Sequence, residues 1–198
     1  GYSTAALKPI ASGSEQTPQG LRNDDALLLM QHCTLPLDYD TINPFALSQP
    51  VSPHLAAEID QVSVTAESLY QASLPVLQSN ADVTIVEGAG GWFAPINYHE
   101  TMADYVKKTN LPVILVVGIQ LGCLNHSLLT LNQIQQSHIP CAGWIANQID
   151  PTMLCWNENI ATLEKMLSVP LLAIIKQGEH NHECIRTTRS AFQTLIPS

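Results

Sequence analysis

At 198 residues the chain is long enough for one domain with a sizeable core, and its 45% apolar and 13% charged residues describe a lightly charged globular protein. The formal net charge of −9 argues against a broad nucleic-acid footprint or an anionic membrane partner, though not against a small anionic ligand held by a local cradle. No signal-peptide pattern opens the chain, no apolar run reaches a membrane span, and five scattered cysteines without a CxxC suit free thiols in a reducing compartment, so a cytoplasmic protein is expected.

In chain order, Ser3–Ile10 reads as a strand ending near Lys8, with a small-residue turn at Ala11-Ser12-Gly13. Lys8 is either an ordinary surface lysine or, with a hydroxyl four residues on, one side of an anion site. Ser14–Asn23 reads as a polar loop. Asp24-Asp25 opens an apolar helix over Ala26–Cys33. One acid suits the helix macrodipole as a cap, which leaves the other to face a metal or a phosphate. Leu35–Pro53 is Pro-rich and polar and reads as an ordered loop. Ser52-Pro53-His54 begins a short helix to Ile59, with His54 in packing or capping. Thr65–Asn80 is a helix capped by Thr65, and Pro75 is expected to kink or divide it.

The central stretch is Val83–Pro95. Val83–Val86 is apolar and β-branched, as in a parallel strand buried on both faces. Glu87 follows at once, then Gly88, Ala89, Gly90 and Gly91, where the backbone can turn sharply and approach a ligand closely. A carboxylate at the carboxyl end of such a strand sits where open α/β sheets bind ligands, and a hard cation such as Mg²⁺ prefers its oxygens. The bland alternative is a glycine turn with a solvated glutamate.

Thr101–Lys108 reads as a short helix and Leu111–Val117 as a continuous apolar strand followed by Gly118. Gly122-Cys123-Leu124-Asn125-His126 opens a helix to about His138. Its first amides either meet an anion such as a carboxylate or simply make a tight strand-to-helix turn. Ile139–Ile149 is a strand with Asn147 near its carboxyl end, where an amide can pair with an adenine edge. Asn157–Leu167 is a helix, Val169–Ile175 a strand and Glu183–Leu195 a closing helix. Glu179-His180-Asn181-His182-Glu183 with Cys184 matches no usual zinc spacing and reads better as a polar loop with a helix start than as a metal site. No repeat or linker divides the chain, so residues 1–198 are expected to form one domain. Five apolar strands alternating with helices require crossovers, hence a parallel sheet covered on both faces. Lys8, Asp25, Glu87, the helix start at Gly122 and Asn147 all follow strand ends and are expected on one sheet edge.

The chain resembles the dethiobiotin synthase family. The resemblance is carried by Leu7–Gly13, Gly20–Ala26, Ser52-Pro53-His54, Val86–Trp92, Val116-Val117-Gly118 with Leu121–His126, and Gly143–Asn147, in the family's order. It implies a homodimeric P-loop NTPase-like α/β protein with three layers and a mostly parallel sheet. It also implies closure of the ureido ring of dethiobiotin from 7,8-diaminopelargonate, CO₂ and ATP with Mg²⁺, through a carbamate and a carbamic-phosphoric anhydride. By resemblance Lys8 is the catalytic lysine, and Ser12 binds substrate. Asp25 and Glu87 hold Mg²⁺ and the nucleotide, and Gly88, Ala89 and Gly90 lie along the nucleotide. Asn147, with Gln148, reads adenine. Gly122, Cys123, Leu124 and Asn125 take the substrate carboxylate, contributed by the partner subunit.

The chain departs from the family in several places. The phosphate loop Gly-x-x-x-x-Gly-Lys-[Ser/Thr] does not occur in these 198 residues. The resemblance implies that the family's first strand, phosphate loop and first helix, a βα unit of about 30 residues, are absent from this chain. Exposed apolar surface and an unpaired sheet edge are then expected, as is poor ATP binding and turnover by the 198-residue chain alone. Gln120 stands where the family often has Lys, and Ile175-Lys176 where it commonly has a Pro near adenine. Two alternatives to a synthase follow: a non-catalytic dimeric binding protein that has lost its phosphate loop, or a P-loop ligase for a different diamine or amide.

Overall fold

A computed structural model of the chain describes residues 1–178. The helix expected over Glu183–Leu195 and the polar stretch Glu179–Cys184 lie outside the described residues. The chain packs as two compact units, Gly1–Thr109 and Asn110–Ser198, the second described to Gly178.

In the first unit the order is β1 (Thr4–Leu7), β2 (Ile10–Ala11), β3 (Glu15–Thr17), β4 (Gly20–Arg22), α1 (Asp24–His32), α2 (Tyr39–Ile42), β5 (Phe45–Ala46), α3 (Pro53–Ile59), α4 (Ala66–Leu77), β6 (Val83–Val86) and α5 (Met102–Thr109). The strand expected over Ser3–Ile10 is broken at Lys8-Pro9. Proline has no N–H to continue a ladder. Lys8 N–H donates instead to Ile42 O at 2.8 Å. Before the break β1 pairs in parallel with β6, Leu7 opposite Val86. After it β2 pairs with β5.

The loop expected over Ser14–Asn23 is an antiparallel hairpin, β3 against β4, turning between Thr17 and Gly20. Its strands are short and polar, so no apolar alternation marks them. The long loop expected over Leu35–Pro53 contains α2 and β5. α3 begins with Pro53 in its first turn and ends at Ile59 as the sequence implies, and His54 packs edge-on against Tyr98. Thr65 caps α4 in a capping box with Ser68. Pro75 does not divide the helix. It lies in the last turn, where its missing N–H costs only the bond to the Gln71 carbonyl. Ile10, Leu47, Leu69, Ile96 and Tyr105 form the core of this unit. Val83–Val86 is not buried on both faces. Ile85 is 59% exposed, and among the described residues β6 has β1 as its one strand partner.

In the second unit β7 (Val113–Ile119), α6 (Cys123–Gln136), β8 (Cys141–Gln148), α7 (Trp156–Met166) and β9 (Leu171–Ile175) make a parallel sheet in the order β7-β8-β9. The expected strands shift because Pro112 and Pro140 start them late, and β7 runs on through Gly118 to Ile119. Trp144, Ile119 and Leu163 anchor its core. Val116, midway along β7, is 58% exposed. Cys33, Cys123, Cys141 and Cys155 are free thiols. Among the described residues no helix is long and apolar enough to cross a membrane.

Candidate active site

The register of β1 against β6 continues one residue beyond both strands. Glu87 N–H donates to Leu7 O at 2.8 Å, which sets Lys8 and Glu87 beside one another. Lys8 is only 5% exposed. Its Nζ donates to Glu87 Oε1 at 2.7 Å, Asp25 Oδ2 at 2.9 Å and Gly88 O at 3.4 Å. The surface-lysine alternative is therefore excluded. The two acids are 58% and 45% exposed at their side chains, so each keeps an open side toward solvent.

Asp25 owes its place to Asn23 rather than to its own capping. Asn23 is the N-cap of α1, and its Oδ1 accepts from Asp25 N–H at 3.1 Å and Ala26 N–H at 3.3 Å. Neither Asp24 nor Asp25 is the cap, so the reading of one acid as cap is corrected. The carboxylate of Asp25 is thereby left for Lys8. The Asn-then-acids pattern before an apolar run carried that signal.

Two buried side chains, Tyr39 and Asn43, and the partly exposed Arg22 complete the setting. Tyr39 OH accepts from Asn23 N–H at 2.7 Å and donates to Asn43 Oδ1 at 2.9 Å. Asn43 Nδ2 donates to Lys8 O at 2.7 Å. Arg22 stacks over the Tyr39 ring at 4.1 Å. Burial pushes the Tyr39 phenol up, against the lowering pull of Asn23 N–H and Arg22, and so favours the protonated donor. Tyr39 and Asn43 had no signal in the sequence, because their segment reads as a loop.

Ser12 lies beyond β2, its hydroxyl buried and without a partner. Gly13 beside it has φ +71°, and a Cβ there would meet Pro50 at 3.1 Å, so only glycine makes this turn. Gly88, Ala89 and Gly90 follow Glu87. Gly90 has φ +71° and Ala94 at 3.0 Å from where a Cβ would stand. Lys8, Asp25, Glu87 and Gly88 are thus brought together in the first unit.

In the second unit Gly122 is the N-cap of α6 with φ +97°, a conformation that favours glycine. Cys123 N–H is taken by Gln120 O and His126 N–H by Gly122 O, which leaves the Leu124 and Asn125 amides for an anion. Cys123 is 2% exposed and Leu124 packs on the core, so their side chains serve packing. Asn147 and Gln148 end β8 opposite Gly118 and Ile119. Gln148 Oε1 accepts from Gln177 N–H at 3.2 Å.

The donors fit Mg²⁺ in kind: two part-exposed carboxylates, a hard-oxygen set of the sort that shares Mg²⁺ with phosphates. Among the described residues no cluster of three or more His, Cys, Asp or Glu forms a cage for a metal by itself.

A family model described as an AAA domain matches residues 1–182, which sets the chain among P-loop NTPase-like α/β proteins. The chain is 47% identical over 184 residues to ATP-dependent dethiobiotin synthetase BioD 1 of Escherichia coli (strain K12), covering 92% of this chain and 81% of that protein. It is 46% identical over 179 residues to the ATP-dependent dethiobiotin synthetase BioD of Pseudomonas aeruginosa (strain UCBPP-PA14), 90% and 78% of the two chains. It is 43% identical over 175 residues to the protein of the same name from Aeromonas hydrophila, 88% and 77% of the two chains.

Proposed function

The chain belongs to the family of ATP-dependent dethiobiotin synthetases, ligases of biotin biosynthesis, and we propose that its Lys8 centre closes the ureido ring of dethiobiotin from 7,8-diaminopelargonate and CO₂. One substrate amine adds to CO₂ and loses a proton, giving a carbamate. A carbamate oxygen attacks the γ-phosphorus of ATP and ADP leaves, giving a carbamic-phosphoric anhydride. The second amine attacks the carbamoyl carbon, the carbon–oxygen bond to phosphate breaks, and inorganic phosphate departs with the ring closed.

The task for the protein is to bring two anions together and neutralise charge where it develops. Lys8 does this between carbamate and γ-phosphate. The observation that carries the reading is its buried ammonium, fixed on Asp25 and Glu87 at the ends of β1 and β6. Ser12, whose buried hydroxyl has no partner, binds the substrate. Asp25 and Glu87 hold Mg²⁺, which when bound offsets the charge of the phosphates. Gly88, Ala89 and Gly90 lie along the nucleotide, and Asn147 with Gln148 reads the adenine.

The free amides of Leu124 and Asn125, at the helix start opened by Gly122 and Cys123, take the substrate carboxylate across a homodimer interface. The two compact units belong to one domain. The protein is cytoplasmic, consistent with four free thiols among the described residues.

The test is isotope transfer in the full-length polypeptide. With ¹⁸O-labelled bicarbonate as the carbon source, the phosphate released carries one ¹⁸O from the carbamate. Turnover that releases unlabelled phosphate overturns the mechanism, and binding of ATP and diamine without turnover favours a binding protein.

A further inference from the structure

The hydrogen bonds around Lys8 close on themselves. Lys8 Nζ donates to Asp25 Oδ2, Asp25 N–H to Asn23 Oδ1, Asn23 N–H to Tyr39 OH, Tyr39 OH to Asn43 Oδ1, and Asn43 Nδ2 to Lys8 O. Every donor points the same way round. The chemistry forces this sense. Lys8 O can only accept, so Asn43 must turn its NH₂ to it, and an Asn23 N–H can only donate, so the Tyr39 proton must go to Asn43. Where one group both accepts and donates, at Tyr39 OH and at the Asn43 amide, the bonds run head to tail and polarise one another, and buried ones exchange poorly with water. Lys8, Asn23, Tyr39 and Asn43 are 5%, 9%, 7% and 2% exposed, and only the Asp25 side chain, at 58%, opens to solvent.

We propose that Tyr39 is a positioning residue for the reaction, its hydroxyl closing a one-way circuit that holds the Lys8 ammonium and the Asp25 carboxylate in fixed relation. Lys8 is gripped at its carbonyl and at its ammonium, and Asp25 at its amide and at its carboxylate. Tyr39 hydrogen-bonds to neither of them directly. It acts through Asn43 on one and through Asn23 on the other. The stacked Arg22 guanidinium holds the ring from outside. This inference rests on the roles given above to Lys8 and Asp25.

The test compares Tyr39→Phe with Lys8→Met in the full-length polypeptide. Phenylalanine keeps the ring and the Arg22 stack and removes only the hydroxyl. The expected result is a kcat about tenfold lower, a several-fold higher Mg²⁺ concentration at half-maximal rate, and a KM for the diamine within threefold of the parent. A second readout is independent of activity. The Lys8 ammonium gives a resolved ¹H–¹⁵N signal at neutral pH in the parent, and exchange with water broadens it in Tyr39→Phe. A variant with lowered thermal midpoint but parental kcat and parental ammonium signal overturns the proposal, since the hydroxyl would then serve stability alone. If Tyr39→Phe does not fold, Asn43→Ala carries the same expectations and the same refutation. Lys8→Met separates the two levels of the argument. Parental activity in that variant overturns the reading of the centre itself, whereas its inactivity beside a parental Tyr39→Phe overturns only the circuit.

Discussion

Lys8 and Glu87 stand 2.7 Å apart because Leu7 and Val86 are paired in parallel register one residue earlier. Two strands that end level place their next residues side by side. The proline after Lys8 stops β1 there, and the Gly88–Gly91 turn stops β6 there. The pairing of a cation with an acid at this edge is a consequence of strand length, and Asp25 is added from the start of a capped helix.

Burial differs sharply across the ion pairs, and stability should follow it. Lys8 is 5% exposed, whereas the Asp25 and Glu87 side chains are about half exposed. Lys8→Met leaves two carboxylates that water can solvate, so it costs about 1 kcal/mol or less. Asp25→Asn with Glu87→Gln strands a buried ammonium and costs about 3 kcal/mol or more. Urea denaturation of the variants measures the difference. Equal costs would contradict the burial argument.

Gly143→Ala should be among the most damaging single changes in the second unit. A Cβ at 143 would sit 2.7 Å from Pro170 O and 2.6 Å from Leu172 Cγ. Backbone cannot swing aside, so about 1–3 kcal/mol is lost. Gly118→Ala is the control. Its Cβ would crowd the tip of the Ile149 side chain, at 2.9 Å, and a flexible side chain can move. Thermal melts should rank the two in that order.

Tyr105, alongside Tyr39, should contribute to the alkaline limit of the first unit. Burial pushes its phenol up, and the hydrogen bond with Ser73 only partly offsets this. A raised folded value means the native state holds the proton more tightly than the unfolded chain. The stabilisation is therefore fully present below the ordinary tyrosine range near pH 10, and is lost as pH rises through the folded value. Tyr105→Phe should flatten that fall. Ser73 keeps its bond to Leu69 O at 2.6 Å, so the substitution costs about 1 kcal/mol at neutral pH. A parental alkaline profile in the variant would assign the loss to another group.

Asn147→Ala should raise the KM for ATP about tenfold and weaken preference for ATP over GTP, with the diamine KM unchanged. A diamine effect without a nucleotide effect would remove Asn147 from the adenine role.

Much of this was legible from residue types. Parallel strands announce themselves as apolar runs, which is why β7, β8 and β9 are legible to within two residues at each end. Lys8, Asp25 and Glu87 were visible as charged residues beside turns. The hairpin β3–β4 was not, because polar strands carry no alternation. Ile85 and Val116 read as buried in the sequence because apolar composition reports a preference for burial and not the partners that deliver it. Tyr39 and Asn43 were hidden for a different reason. Their role depends on a fold contact across 35 residues between Asn43 and Lys8, and no local pattern encodes it.

Lys8→Met in the full-length polypeptide is the most direct measurement, with phosphate release followed alongside a thermal melt. The account predicts a rate lower by about a thousandfold in a protein that melts within a few degrees of its parent. A folded variant that releases phosphate at the parental rate would contradict it.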